Sequence, residues 1–470
     1  MSEFFLDVAG LRVFDAASGK AIVDGVKLRV ANGGVLTLLG ESGSGKSLLA
    51  QAIMGTLVSG LRAEGAIGIG GERFDAADQR SRQRLWGRAV ALLPQEPWLA
   101  LDPTMRVLHQ IAETHELVAG KTADQAGAAA LRDLDQLGLR HAARLYPHQI
   151  SGGMAQRVAF LATHAAGAKL LIVDEPTKGL DSGKRDEMLA MLRAAQGDGM
   201  AVLCITHDVA LARALGGDTA VMLDGCVIEH GASSQLLSRP AHAYTRALLA
   251  ADPANWPVRS ALQAPGEVVA QVDNVAKSFG KHRLFDGITT DIRRGEVVAV
   301  TGDSGAGKTT FGNLLLGLLR PDAGTVTRAA GLPRTAFQKL YQDPAAAFAP
   351  TLTLRAALRD VLALHGLQWE DMAPLLARLR LAETLLDRLP SQVSGGELQR
   401  FALARVLLLK PALIFADEPT SRLDPITQQQ TLNLLLEVAG ESGCAVLLVT
   451  HDAQIARAVG QRRIALHEVG

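Results

Sequence analysis

Two stretches of this chain repeat one spacing of glycines ahead of a lysine and a hydroxyl. They are Gly40-Glu41-Ser42-Gly43-Ser44-Gly45-Lys46-Ser47 and Gly302-Asp303-Ser304-Gly305-Ala306-Gly307-Lys308-Thr309. Both read G-x-x-x-x-G-K-[ST], a phosphate-cradling pattern. The missing Cβ atoms of Gly40, Gly43 and Gly45, and of Gly302, Gly305 and Gly307, let backbone N–H groups turn toward an anion. Ser42 and Ser304 lie in the same loops, and a helix opening behind each loop adds its positive end. Lys46 and Lys308 suit the β- and γ-phosphates; Ser47 and Thr309 offer a hydroxyl to Mg²⁺. The chemistry implied is binding of a nucleoside triphosphate, at two places.

Further along, two apolar runs end in paired acids: Leu170-Leu171-Ile172-Val173-Asp174-Glu175 and Ala412-Leu413-Ile414-Phe415-Ala416-Asp417-Glu418. Such a strand delivers two carboxylates to a crevice at its C-terminal end. The first acid, Asp174 or Asp417, suits the Mg²⁺ shell. The second, Glu175 or Glu418, is placed to orient or deprotonate an attacking water. Taken alone such a pair is more often a solvated strand end; behind a phosphate loop, twice, it points to chemistry. Ser151-Gly152-Gly153 and Ser394-Gly395-Gly396 stand at the same distance ahead of the two acid pairs. A serine and two glycines opening a helix form another anion-seeking N-terminus. One nucleotide does not need two such termini from one domain, so the second is expected to serve a nucleotide held by the other half.

These motifs need elements to position them. Residues 35–39 and 297–301 read as buried strands, 48–54 and 310–319 as the helices behind the loops, and 4–8 and 268–272 as the first strand of each half. Helix-rich inserts cover 111–144 and 354–388. Proline and glycine cluster around Pro253, Trp256-Pro257 and Ala264-Pro265-Gly266, which reads as a linker. The expected domains are 1–250 and 267–470, joined by 251–266, each an α/β unit with a mainly parallel sheet. The second half lacks the glycine-rich stretch 65–71, so its antiparallel region is expected to be trimmed.

The motif set resembles the ATP-binding cassette (ABC) ATPases, with Ser151-Gly152-Gly153-Met154 and Ser394-Gly395-Gly396-Glu397 as variants of the signature. The resemblance spans nearly the whole chain. It implies tandem P-loop domains, each with a RecA-like core, an antiparallel β region and a helical subdomain, using ATP and Mg²⁺. It further identifies Gln95 and Gln342 as glutamines that touch metal and water and sense a transport partner. His207 and His451 are identified as histidines that contact the γ-phosphate, and Gly179-Leu180-Asp181 and Arg422-Leu423-Asp424 as loops that cross between halves. Arg422 departs from the small residue usual there. Phe279 matches the aromatic that stacks on adenine; Phe14 lies one place early, and core packing is its alternative reading. No acid, lysine or histidine of the set is missing from either half, so two competent sites are expected.

Ser238-Arg239-Pro240-Ala241-His242-Ala243-Tyr244-Thr245-Arg246 resembles a segment that follows the cassette in importer ATPases for oligopeptides, dipeptides, nickel and related chelates. An ordinary amphipathic helix is the alternative. The surroundings of the two glutamines, Gln95-Glu96-Pro97-Trp98-Leu99 and Gln342-Asp343-Pro344, fit the same group. The second half, which stops at Gly470, carries no counterpart of the Tyr244 segment. The resemblance implies an ATPase that powers solute import through two separate permease subunits docking near Gln95 and Gln342, with an extracytoplasmic binding protein delivering the solute. Its place would be cytoplasmic, on the inner face of the membrane. The competing readings are a soluble tandem ATPase acting on ribosomes, or one serving a metabolic complex such as the carbon–phosphorus lyase.

Composition narrows the classes. The 470 residues carry 48 Lys and Arg against 48 Asp and Glu, so no net charge draws the chain onto nucleic acid or an anionic membrane. No basic patch or long charged linker of the kind expected of a ribosome-bound relative is present. The N-terminus lacks a signal-peptide pattern, and no long uncharged apolar run predicts a membrane span. Cys204, Cys226 and Cys444 form no metal-binding spacing; Cys204 and Cys444 read as small buried thiols in matching strands.

Overall fold

In the computed structural model, residues 3–95, 100–178, 180, 182–260, 266–280, 282–303 and 305–466 are described. The chain divides into two units, one of residues 1–178 and 183–249, the other of 250–470 with 179–182.

The first unit opens with strands β1 (Phe4–Asp15) and β2 (Ala21–Ala31), followed by β3 (Val35–Gly40), β4 (Leu61–Ile69), β5 (Glu72–Asp75) and β6 (Val90–Leu93). Then come β7 (Leu170–Asp174), β8 (Ala201–Thr206), β9 (Asp218–Leu223) and β10 (Cys226–Ala232). One sheet has the order β2-β1-β4-β5 and is antiparallel; the other has the order β10-β9-β3-β8-β7-β6. Within the second sheet only the β9–β10 pair is antiparallel. Sequence pattern separates the two sheets. In β1, Leu6, Val8, Leu11 and Val13 are buried while Ala9 and Arg12 face solvent, the alternation of a one-sided sheet. In β3 and β8 every residue is buried, as parallel strands covered on both faces require. The inward side chains of β1 and β2 pack with Leu49 and Ile53 of the helix Lys46–Met54 against Leu36 and Leu38 of β3. That packing fixes the helix at the end of β3.

The second unit repeats the plan with β11 (Val268–Phe279), β12 (His282–Arg293), β13 (Val297–Thr301), β14 (Ala323–Arg328), β15 (Phe337–Leu340), β16 (Leu413–Asp417), β17 (Ala445–Val449) and β18 (Arg462–Ala465). Its parallel sheet, β15-β16-β17-β13-β18, has the first unit's strand order. Its antiparallel sheet has three strands among the described residues, β12-β11-β14, in which β14 takes the place of β4 and β5 has no counterpart.

The inserts are helical: Val107–Glu113 and Ala123–Gln136 in the first unit, Leu354–His365 and Trp369–Arg378 in the second. Thr122 and Thr353 cap the starts of Ala123–Gln136 and Leu354–His365 through their side-chain oxygens. The proline-rich stretch is anchored rather than loose. Trp256 is buried among second-unit residues, its Nε1 donates to the Ala251 carbonyl, Arg259 N donates to Ala458 O, and Gln461 donates to Ser260 O. Residues 261–265 lie outside the described set.

Cys204 is buried within β8; Cys444 is also buried but sits one residue before β17, not inside a strand. Burial pushes the Cys204 thiol well up and the Cys444 thiol up to about 12, while Cys226 is exposed. A thiol reagent at pH 8 is therefore expected to find one fast-reacting cysteine in the native chain and all three in denaturant. Two fast thiols in the native state would contradict the packing of β8 or of the turn into β17.

Candidate functional site

In each unit the site gathers at the C-terminal ends of the parallel strands, where ligand crevices form in open α/β sheets. β3 ends at Gly40 and β13 at Thr301; the glycine loops follow, and the helices Lys46–Met54 and Lys308–Leu316 begin at the predicted lysines. Gly45 and Gly307 hold the N-cap positions with φ of 97° and 86°, left-handed backbone that glycine tolerates. A Cβ there would meet Val23 Cγ2 at 2.9 Å and Phe285 Cε1 at 2.9 Å respectively. The first turns of both helices therefore open into the loops. Ser42, Gly43 and Gly305 lie exposed on the loops; Ser304 is outside the described residues.

Both lysines fold back along their loops. Lys46 Nζ donates to the carbonyls of Gly40 (2.9 Å) and Glu41 (2.6 Å), and Lys308 Nζ to those of Gly302 (2.7 Å) and Asp303 (2.8 Å). The neighbouring hydroxyls meet the strand-end acids. Thr309 Oγ1 donates to Asp417 Oδ1 at 3.0 Å, and Ser47 acts on the Asp174 carboxyl, lowering it against its burial.

The second acid of each pair is held in an unusual backbone state. Glu175 and Glu418 have φ of 50° and 46°, in the left-handed region that non-glycine residues rarely occupy. Hydrogen bonds to the next strand maintain the turn, Glu175 N to Ile205 O and Glu418 N to Val449 O. Since β8 lies beside β7, and β17 beside β16, the histidine after each strand reaches its glutamate. His207 Nδ1 is 2.8 Å from Glu175 Oε1 and His451 Nδ1 is 3.3 Å from Glu418 Oε2.

The electrostatics split the first pair. Burial pushes Asp174 above the ordinary aspartate range, the charge of Glu175 adds to that, and Ser47, Lys46 and Lys178 oppose it. Burial would also raise Glu175, but His207, Lys46 and Lys178 together outweigh it, and the carboxyl is held below its ordinary range. Glu418 is likewise lowered: burial opposes, and the hydrogen bond and charge of His451 with the charge of Lys308 prevail. The glutamates thus remain ionised acceptors. Asp174 Oδ1, by contrast, is buried without a hydrogen-bond partner. A buried oxygen in that condition beside a hydroxyl is a fitting ligand for a hard divalent cation.

The remaining predicted residues fall into place unevenly. Gln342 Nε2 donates to Glu418 Oε2 at 3.0 Å and to Ser421 Oγ at 3.4 Å, so it joins the second unit's acid pair. Gln95 is exposed, and residues 96–99 beside it are outside the described set, as are Gly179 and Asp181. Ser151 and Ser394 cap the helices Gly152–His164 and Gly395–Leu407, accepting from Met154 N and Glu397 N. Gly152 has open space at its Cβ position, a Cβ on Gly395 would make ordinary contact with Leu423 Cδ2 at 3.8 Å, and both glycines are exposed, so the two helix starts are accessible. Arg422 pairs with Asp343 at 2.8 Å, both largely exposed. Phe279, at the end of β11, is 55% exposed with Lys277 Nζ 5.6 Å from its ring centre. Phe14 is half-buried with the Arg62 guanidinium 5.5 Å over its ring.

Two features had not been singled out from sequence. Asp208, behind His207, caps the helix Val209–Leu215 and pairs with Arg185 at 2.6 Å, which fixes the turn carrying the histidine. Lys339, in β15, pairs with Asp417 Oδ2 at 3.1 Å. Its signal was present as a lone lysine in a short apolar strand where the first unit has Leu92.

With this geometry the comparisons agree. Residues 23–178 and 285–421 each match the ABC transporter family, so the chain belongs to that family as a fused pair of cassettes with ATP-binding and ATPase function. It is 32% identical to the glutathione import ATP-binding protein GsiA of Salmonella typhi, covering 97% of this chain and 84% of that protein. It is 33% identical to the peptidoglycan transport ATP-binding protein YejF of Agrobacterium fabrum, covering 94% and 87%. Among solved structures, the archaeal ribosome recycling factor aABCE1, crystallised with ribosomal stalk protein aP1, shares the fold at TM-score 0.68 and 21% identity, over 97% of this chain and 87% of that one. Among the described residues no helix is long and apolar enough to cross a membrane.

Valine at Gly45 or at Gly307 would have to adopt left-handed backbone and displace a buried neighbour, a strain of at least about 1–2 kcal/mol at a phosphate-facing turn. Each substitution is expected to reduce the ATP bound per chain from two to one in equilibrium dialysis. Two ATP still bound by either variant would show that its loop does not hold the phosphates.

Proposed function

We propose that this chain is the ATP-hydrolysing subunit of an importer for a small solute of the peptide class, working with two separate permease subunits and an extracytoplasmic binding protein. The observation that carries the reading is whole-length similarity to two transport ATPases in a chain that keeps a complete set of site residues in both units.

Two MgATP are held head-to-tail in this reading. Lys46, Ser47, Asp174, Glu175 and His207 face Ser394, Gly395 and Gly396 across one nucleotide. Lys308, Thr309, Asp417, Glu418 and His451 face Ser151, Gly152 and Gly153 across the other. Gln95 and Gln342 complete the two sets, and Phe279 stacks on one adenine. Asp174 with Ser47, and Asp417 with Thr309, would hold Mg²⁺, which when bound neutralises charge developing on the β- and γ-phosphates. Glu175 and Glu418, kept ionised by their histidines, accept a hydrogen bond from the attacking water and orient it. His207 and His451 hold those carboxylates in place and reach the γ-phosphate. Removal of that phosphate loosens the contacts that close the halves.

Two structural features support coupling to a membrane partner. Close in sequence to Gln342, a cavity of about 380 Å³ is lined by apolar residues such as Tyr341, Val361 and Leu364 together with the basic Arg334, His365 and Arg405. Tyr341 is 41% and Leu364 79% exposed. An amphipathic permease helix with an apolar face and acidic flanks would suit such a surface. The Tyr244 segment is also built into the first unit. Ala241 N and His242 N donate to the Glu229 carboxylate at 2.7 and 3.2 Å, and the helix Ala243–Ala250 buries Thr245 and Leu248. The subunit then sits on the inner face of the membrane through its partners.

Glu175→Gln and Glu418→Gln, made separately, are each expected to slow hydrolysis at the altered site by about 100-fold or more and so to remove a substantial part of total turnover, while ATP binding persists. If one leaves turnover untouched and the other abolishes it, the claim of two competent sites is wrong. The transport reading is tested by purifying the tagged chain from gently solubilised membranes of its host. Two polytopic permeases are expected to accompany it, with ATPase activity raised by a solute-loaded binding protein. Ribosomes or a soluble enzyme complex in their place would refute import and leave the ATP chemistry standing.

A further inference from the structure

The acid pocket of the second unit contains a positive charge for which the first has no counterpart at the same register. In β15, Lys339 is paired with Phe415 of β16, as Leu92 of β6 is paired with Ile172 of β7. Phe415 and Ile172 each stand two residues before the strand-end aspartate, so Lys339 and Leu92 occupy equivalent places. The lysine side chain is only 14% exposed and its Nζ lies 3.1 Å from Asp417 Oδ2, itself on a side chain 10% exposed. Asn313 Oδ1 accepts from the same ammonium at 3.4 Å, and the charge stands 5.1 Å over the Phe415 ring and 5.4 Å over the Tyr341 ring. Aromatic faces and a neutral amide stabilise a cation that burial would otherwise penalise.

The consequence lies in what each aspartate has left to offer. Asp417 has Oδ1 engaged by Thr309 and Oδ2 by Lys339. Asp174 feels the charges of Lys46 and Lys178, but its Oδ1 is buried with no hydrogen-bond partner. A hard divalent cation needs carboxylate oxygen, and it is repelled by an ammonium already in place.

We propose that Lys339 is a positioning residue that occupies Asp417, so that the two units take up metal unequally, the first tightly and the second weakly. This rests on the reading that each unit holds a nucleotide with a divalent metal. Lys339 acts through Asp417 and has no part in the attack on phosphate. The second unit would therefore hold its nucleotide with less dependence on metal, and its Asp417 is released only when the lysine swings aside.

The full-length chain is titrated with Mn²⁺ at saturating AMP-PNP, a non-hydrolysed ATP analogue, and free Mn²⁺ is counted from its EPR spectrum. Bound AMP-PNP is measured in parallel by equilibrium dialysis. Wild type is expected to take up two Mn²⁺ with dissociation constants at least about tenfold apart. Lys339→Leu, which installs the side chain of the first unit, should bring the weak class close to the tight one. Lys339→Arg keeps the charge and should keep the class weak, which separates charge from packing. Leu92→Lys should weaken the tight class. Two equal classes in wild type, or a weak class unmoved by Lys339→Leu, would overturn the proposal with two nucleotides still bound. Fewer than two AMP-PNP per chain would instead remove the two-nucleotide reading beneath it.

Discussion

Adjacent carboxylates in a half-closed crevice repel each other, and a site that uses them differently must drive their proton affinities apart. Here burial and the charge of Glu175 raise Asp174, while His207, Lys46 and Lys178 hold Glu175 down against its own burial. The separation depends on strand order. β8 must lie between β3 and β7 for one histidine to meet the glutamate and for one lysine to reach both acids from the loop after β3. The left-handed turn at Glu175 is the local cost, of order 1–2 kcal/mol, and the Glu175 N to Ile205 O bond holds it in place. Asp174 remains the one acid of the pair that a cation would stabilise, which is how the two neighbours acquire different tasks.

The second unit solves the same problem with other groups. Its parallel strands run in the same order and its glutamate has the same backbone state, yet Gln342 and His451 both bind Glu418 there. Asp417 is paired with a lysine from the neighbouring strand. Conserving the sheet while varying one inward position leaves the geometry intact and changes the local field. The exposed Arg422–Asp343 pair belongs to a weaker class, worth about 0–1 kcal/mol by its solvent exposure. Charge differences buried beside the phosphate loop therefore outweigh those on its rim in making the two sites unequal.

Much of this was legible in the sequence, for reasons that differ by element. Buried parallel strands such as Val35–Gly40 and Leu170–Asp174 announce themselves as unbroken apolar runs, and the motifs at their ends fix the crevice. The absence of a second glycine-rich hairpin stretch agreed with the three-stranded sheet of the second unit. Tertiary partners were not legible. The lysine in Phe337–Leu340 reads locally as a solvent-facing strand residue, and only the register with β16 directs it to Asp417. The left-handed glutamates carry no sequence mark, because glycine would be the expected residue at such a φ. Cys444 was placed in a strand by its apolar neighbours, whereas the ladder begins one residue later.

The passage between the units shows where composition alone falls short. Proline and glycine between two repeats give a linker's propensities, since they disfavour helix and ladder. They do not say which residues remain free of a core. A tryptophan does: burying so large an apolar surface outweighs the entropy of ordering the few residues around it. Trp256 is buried on the second unit, and the bonds at Arg259 and Ser260 continue that attachment. On the other side, Glu229 captures the backbone of Ala241 and His242 for the first unit. The boundary near residue 250 is thus set by one carboxylate and one indole rather than by the prolines.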